Sequence, residues 1–237
     1  RAIQTGDAEV AIAAGAETLS DAPIRFRRSV RKRLIAAQKA RGPGDYLKLL
    51  KGLGPTDLLP EPVALAEFST GEIMGENCER LAKRFGITRE DQDEYAMMSN
   101  HRAAAATAEG RYKRQIVPAF PPPRYQGVAA DNGVRGDSTM EKLGTLKPVF
   151  DREGTGTMTA GNSTPLTDGA AAVLLASEDW AKLKNLTVSA WLTHAKVAAV
   201  DFINSDGLLM APAYAVSNML NDAKLRLQDF DYYEIHE

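Results

Sequence analysis

Cysteine is nearly absent from this sequence. The 237 residues include a single one, Cys78, so no intramolecular disulfide can form and a reducing compartment is the simpler expectation. Long apolar runs are missing as well, since none approaches the roughly 20 residues that span a bilayer. Neither sign of charge is in excess; the formal net charge is -2, which gives no electrostatic reason to expect nucleic acid as a partner. No secretory leader is expected, and the first residue is Arg1 rather than Met. With Arg1 at one end and Glu237 breaking off in mid-pattern at the other, the expectation is a fragment of a longer protein. What is present is ordinary for a globular chain: 44% hydrophobic and 25% charged residues, enough for one large domain or two small ones around a sizeable core.

The texture of the chain changes twice. Val10-Ala11-Ile12-Ala13-Ala14 is a short apolar run between Gly6 and Gly15, and such a run suits a strand buried on both faces, as in a parallel sheet. From Ser20 to Phe150 the pattern is mainly helical. The segment Arg25 to Arg33 holds six cationic residues in nine, and apolar helical positions follow, interrupted by Gly42-Pro43-Gly44. A helix is predicted over Met74 to Phe85, with Met74, Cys78, Leu81, Ala82 and Phe85 on one face and Gly86 as its stop. Another begins after Thr88, an N-cap with Glu90 and Asp91 in the first turn, and runs to about Gly110. Pro118 to Arg124 reads as loop or edge. Beyond Thr155 the chain turns rich in Gly and hydroxyl residues. A buried strand at Ala170 to Ala176, a short helix at Asp179 to Lys184, a strand at Val188 to Val197, a helix at Pro212 to Ala223 and a strand at Tyr232 to Ile235 follow. Strands alternating with helices at both ends of a helical excursion argue for an interrupted α/β core.

Three features carry candidate chemistry. The stretch from Gly154 to Thr167 exposes N–H groups and hydroxyls able to hold a polar or anionic ligand, although it also suits a turn-rich loop leading into a strand. His236-Glu237 follows a predicted strand, where sites form in α/β sheets, and an imidazole there can donate to an oxyanion or orient a water; the alternative is a His that merely ends a strand. The basic run suits acidic head groups or phosphates, and equally a solvated helix face. Cys78 lies on an apolar helical stripe with no His near it in sequence, so it reads as a buried structural thiol rather than a nucleophile. His101 and His194 read as structural or solvent-facing. No arrangement of residues asks for a metal.

Longer motifs then resemble one family along essentially the whole chain. Gly15-Ala16-Glu17-Thr18-Leu19-Ser20 is similar to the G-x-E-x-M-S stretch of thiolases, with Leu19 in place of Met. Met74-Gly75 with Glu76-Asn77, and Thr88-Arg89-Glu90-Asp91-Gln92-Asp93, resemble the M-G-x-x-A-E-N and S-R-E-x-Q-D stretches. Leu146-Lys147-Pro148-Val149-Phe150 resembles the L-K/R-P-x-F stretch. The run from Thr159 to Ala170 matches T-A-G/A-N-S/A-S/T-x-L-x-D-G-A, a long and specific motif. His236-Glu237 would open an H-E-A-F motif, the form typical of β-subunits of the trifunctional fatty-acid oxidation complex. Asp131-Asn132-Gly133-Val134-Arg135, Phe68-Ser69-Thr70-Gly71 and the basic, helical Arg25 to Leu59 segment resemble that group too. Thr155-Gly156-Thr157-Met158 departs from the usual G-T-V-T run by extra residues.

The resemblance implies a partial thiolase fold of the α/β class, interrupted by a mainly helical loop domain. Residues 1–21 and 152–183 would form part of the N-terminal half, 22–151 the loop domain, and 184–237 the start of the C-terminal half. It implies a 3-ketoacyl-CoA thiolase of fatty-acid β-oxidation, an acyltransferase that uses coenzyme A as a substrate and no cofactor. The alternatives are a noncatalytic CoA- or lipid-binding scaffold and a biosynthetic acetoacetyl-CoA thiolase. His236, with Glu237 as its motif neighbour, would hold the oxyanion-hole water. Arg135 would meet the adenine nucleotide, and Met74, Phe150, Ala160, Thr164 and Leu166 would line the pantetheine channel. The nucleophilic Cys would lie before Arg1, and a further His and Cys after Glu237, so this chain alone is expected to be inactive. Implied partners are acyl-CoA and CoA, a second copy in a dimer or tetramer and a hydratase/dehydrogenase α-subunit; the cationic run beside apolar helix positions adds the expectation that Arg25 to Leu50 docks on a membrane surface or on that subunit. The implied location is intracellular, bacterial cytoplasm or mitochondrion.

Overall fold

A computed structural model describes residues 1–21, 24–61, 66–151, 153–204 and 207–235. In chain order its regular elements are helix α1 (Ala2–Thr5), strands β1 (Val10–Glu17) and β2 (Arg25–Phe26), helices α2 (Arg28–Ala37) and α3 (Pro43–Leu50), and strand β3 (Pro60–Glu61). Helices α4 (Met74–Phe85), α5 (Arg89–Ala108) and α6 (Met140–Gly144), strand β4 (Gly169–Ala176), and helices α7 (Glu178–Leu183) and α8 (Ala211–Ala223) follow. They cluster into two units, Arg1–Leu65 with Leu166–Ala190, and Ala66–Pro165 with Trp191–Glu237.

In the first unit β1 and β4 form a two-stranded ladder from Val10↔Ala176 to Glu17↔Gly169. The pairing is antiparallel, which corrects the expectation of a parallel sheet: an apolar run specifies burial and says nothing of strand direction. Its faces are also open. Ile12 is 73% exposed, because the ladder has no third strand or covering helix layer among the described residues. The two motifs at the ends of these strands meet. Asp168 Oδ1 accepts the N–H groups of Leu19 at 2.7 Å and Ser20 at 2.9 Å, and Asp168 Oδ2 accepts the Ser20 hydroxyl. These bonds, the side-chain one first, hold the Asp168 carboxyl below its ordinary range.

Helices α2 and α3 pack as a hairpin in the same unit. Arg33 donates to the carbonyls of Leu49 at 2.6 Å and Lys51 at 2.8 Å, satisfying acceptors that the end of α3 leaves unpaired. Ser29 donates to Asp57 at 2.8 Å, and Arg31 pairs with Glu61 at 3.1 Å. Arg25, Arg31 and Arg33 of the basic run are thus engaged within the unit, while Leu34, Ile35, Leu47 and Leu50 of the hairpin remain exposed.

The second unit is built on α4 and α5. Gly86 ends α4 in the left-handed region at φ 67, a conformation glycine adopts at no steric cost. Thr88 then caps α5: its hydroxyl accepts Asp91 N–H at 3.1 Å and Asp91 Oδ2 accepts Thr88 N–H at 3.0 Å, a reciprocal capping arrangement. The buried face of α4 differs from the apolar stripe. Met74 and Phe85 are exposed and Cys78 is half-buried, whereas Asn77, Glu79 and Ala82 are buried. Burial of the carboxylate is tolerated because its hydrogen bonds are supplied, as the site shows. Helix α8 matches expectation. The strands expected at Val188 to Val197 and Tyr232 to Ile235 are irregular chain; a strand exists only through its ladder, and neither segment has a ladder partner among the described residues.

Candidate functional site

The Gly- and hydroxyl-rich stretch becomes a turn whose backbone donors are used internally. Thr157 N–H donates to both oxygens of Glu79, at 2.8 and 3.0 Å, and Met158 N–H donates to Glu79 Oε2 at 2.9 Å. The Thr157 hydroxyl adds a bond to Glu79 Oε1 at 2.9 Å. Glu79 is 3% exposed. Removing its carboxylate would strand two amide donors, at about 1–3 kcal/mol each. Within the turn, Thr159 N–H donates to Asn162 Oδ1 at 2.7 Å, and Asn162 Nδ2 donates to Asp93 Oδ1 at 2.9 Å and to the Thr157 carbonyl at 3.0 Å. Asp93, 2% exposed, is also paired with Arg89 at 2.7 Å, and Arg89 reaches the Leu143 carbonyl at 2.6 Å. The turn therefore holds its inner face against α4 and α5 and leaves Ala160 and Thr164 exposed.

Phe150 is placed by two contacts. Val149 N–H donates to the Met158 carbonyl at 2.9 Å, which lays this segment beside the turn. The Phe150 ring lies where a Cβ on Gly75 would come within 2.2 Å, so the glycine after Met74 is what lets the ring approach α4. Phe150 also lines a cleft of about 770 Å³ with Glu72, Arg80, Lys83, Asp151 and Phe202 among its walls. Lys83 pairs with Asp151 there, and the Thr155 hydroxyl donates to Asp151 at 2.9 Å. The Lys83 ammonium, then the Glu153 amide and that hydroxyl, lower the Asp151 carboxyl from 3.8 to about 2.

Arg135 sits on a separate loop, held at both ends of its peptide. Its N–H donates to Asn100 Oδ1 at 2.7 Å. Its carbonyl accepts the Ser138 N–H at 3.0 Å and hydroxyl at 2.7 Å. The guanidinium donates to the Asn132 carbonyl at 2.8 Å and remains exposed. Leu166 is exposed and belongs to the first unit. His236 and Glu237 lie outside the described residues. His101 is tied to the Ser138 carbonyl, 2.8 Å from Nε2, in keeping with a structural role. Burial, with the adjacent Glu79 carboxylate second, pushes the Cys78 thiol up from 9.0, which disfavours the thiolate a nucleophile needs. Among the described residues no group of three or more His, Cys, Asp or Glu is arranged to hold a metal, and no helix is long and apolar enough to cross a membrane.

Sequence reasoning missed Glu79, Asn100 and the role of Asp93. Asp93 stood inside a quoted motif, and so did Glu79, which takes the Glu position of the M-G-x-x-A-E-N stretch that starts at Met74; Asn100 had no local signal.

An α/β chain in which the Met74-Gly75 and Leu146-to-Phe150 motifs and the Thr159-to-Pro165 turn fold against one another has counterparts among known proteins. Residues 1–179 match the thiolase N-terminal domain family, and the chain belongs to the thiolase family. Over 235 residues it is 44% identical to a 3-ketoacyl-CoA thiolase of Pectobacterium carotovorum and 41% identical to one of Escherichia coli, covering 99% of this chain and 53% of each relative. The chain thus spans about half the length of the curated relatives it matches. Human mitochondrial 3-ketoacyl-CoA thiolase in complex with CoA superposes with a TM-score of 0.75 at 30% identity, covering 97% of this chain and 52% of that one. A Bacillus anthracis acetyl-CoA acetyltransferase gives 0.71 at 31% identity, with 97% and 53% covered.

Proposed function

We propose that this chain is the coenzyme-holding section of a 3-ketoacyl-CoA thiolase, an enzyme that cleaves 3-ketoacyl-CoA with CoA to acetyl-CoA and a shortened acyl-CoA in fatty-acid β-oxidation. The observation that carries the reading is 44% identity across 99% of the chain to a protein of that name. Arg135 meets the adenine nucleotide, and Met74, Phe150, Ala160 and Thr164 take the pantetheine arm, with Leu166 assigned by its motif. An apolar wall with a few hydroxyls suits that thin, amide-bearing chain. By the same motifs residues 1–21 and 152–183, 22–151 and 184–237 are the N-terminal half, loop domain and C-terminal half.

In the intact enzyme a cysteine thiolate adds to the keto carbon. The bond between that carbon and the acetyl-CoA carbon breaks, the electron pair leaves as the enolate, and a proton completes acetyl-CoA. The acyl group stays on sulfur until CoA takes it, so one hard step becomes two easier ones. His236 orients the water that stabilises the oxyanion, with Glu237 beside it. Cys78 has no part in this: burial raises its thiol, which disfavours the thiolate a nucleophile needs.

Calorimetric titration of the chain with CoA tests the reading, together with an acetoacetyl-CoA cleavage assay. Saturable CoA binding without cleavage is the expected result; no binding at millimolar CoA removes the coenzyme assignment, and cleavage by this chain removes the placement of the chemistry outside it. Intact, the protein is assigned to an intracellular dimer or tetramer associated with a hydratase/dehydrogenase α-subunit. The exposed apolar positions of the α2–α3 hairpin beside its cations support docking of Arg25 to Leu50 on an anionic membrane surface. Flotation with anionic liposomes at low salt reads this directly, and failure to float ends it.

A further inference from the structure

One side of α5 reaches both loops that carry the proposed coenzyme contacts. Near the start of the helix Gln92 Nε2 donates to the Thr157 hydroxyl at 3.0 Å, and Asp93 Oδ1 accepts from Asn162 Nδ2 at 2.9 Å. Further along, Asn100 Oδ1 accepts the Arg135 N–H at 2.7 Å. Asp93 and Asn100 lie two turns apart, on one side of the helix and about 10 Å along its axis. A helix is stiff over that distance, so the separation between the two loops is fixed by α5 rather than by the loops. From α4, Glu79 secures the Thr157 and Met158 amides.

Packing alone does not explain these groups. Apolar residues of similar volume would fill the same space without defining where a turn sits along the helix, whereas hydrogen bonds to particular N–H groups define its register. A ligand with two recognition elements joined by a flexible chain binds well only if both receiving loops are already at the right spacing. We propose that α5, with Glu79 of α4, is the template that sets this spacing. Asn100 positions Arg135 for the adenine nucleotide, and Glu79 with Asp93 positions the 157–162 turn for the pantetheine arm. These are positioning residues and touch no ligand themselves. The proposal rests on the coenzyme A reading given above.

The test titrates this chain with three probes: CoA, adenosine 3′,5′-bisphosphate and pantetheine. Asn100→Ala is expected to weaken CoA and the bisphosphate about tenfold, the factor that matches one ordinary hydrogen bond, and to leave pantetheine within about twofold. Asn100→Asp keeps the acceptor for Arg135 N–H and restores binding. Glu79→Gln weakens CoA and pantetheine and spares the bisphosphate. Thr157→Val removes only the hydroxyl links to Glu79 and Gln92 and acts in the same direction, more mildly, which keeps the test open should Glu79→Gln not fold. A merely structural role lowers the fraction of binding-competent protein and affects both arms alike. Folded variants that lose both arms together, or neither, overturn the template. A wild-type chain that binds no CoA overturns the coenzyme reading itself, and the two failures are distinguishable.

Discussion

Cys78 and Glu79 are neighbours in sequence with opposite relations to water and charge. The carboxylate is buried on its hydrogen bonds, and the thiol beside it is half-buried and raised. A thiol whose folded value is raised carries less thiolate at neutral pH than a free cysteine, and reactivity follows the thiolate. Alkylation of Cys78 by iodoacetamide should therefore run slower than that of free cysteine at pH 7, and its rate should climb through a midpoint above 9.0. A midpoint near 7 would make Cys78 an activated thiol and reopen its assignment. The two residues also show where sequence reading stops. The stripe Met74, Cys78, Leu81, Ala82 and Phe85 predicts an apolar face that does not include Glu79, yet Glu79 is buried and, of the stripe, only Ala82 is. What buries Glu79 is Thr157, 78 residues away, and no window along α4 contains that information.

Elements were legible in proportion to how local their causes are. The boundary between α4 and α5 could be read because Gly86 and Thr88 act through their own backbone and neighbouring amides. The expected strands at Val188 to Val197 and Tyr232 to Ile235 failed because a strand depends on a partner that its own composition does not name. The antiparallel pairing of β1 with β4 was missed for the same reason. The α5 cap offers a clean measurement of the local kind. Thr88→Ala removes the acceptor for Asp91 N–H and should cost about 1 kcal/mol, seen as a lower urea midpoint with an unchanged m-value. Thr88→Ser, which keeps the hydroxyl, should lie close to wild type. Equal losses in both variants would assign the effect to the methyl group's packing instead of the cap.

At the scale of the whole molecule the two units differ in what encloses them. In the first unit the β1–β4 ladder leaves Ile12 73% exposed, with Val173 and Leu174 also more than half exposed, and a two-stranded sheet with open faces is marginal in water. In the second unit α5 is tied to three other segments by side-chain hydrogen bonds: Arg89 to the Leu143 carbonyl, Asp93 to Asn162, and Asn100 to the Arg135 N–H. Local opening energies follow such differences, and amide exchange reports them segment by segment. Peptides covering 10–17 and 169–176 should thus exchange well before those covering 89–108 in this chain. The curated relatives are about twice its length, and a chain of that length has residues enough for a further layer over an apolar ladder. The same peptides measured in an intact protein of that length should gain protection at β1 and β4, while those of α5 change little, because the partners of α5 already lie within this stretch. Equal gains in both regions would mean that the α5 network is not complete in this chain, and early exchange of β1 and β4 in the intact protein would mean that the ladder's apolar faces stay open there too.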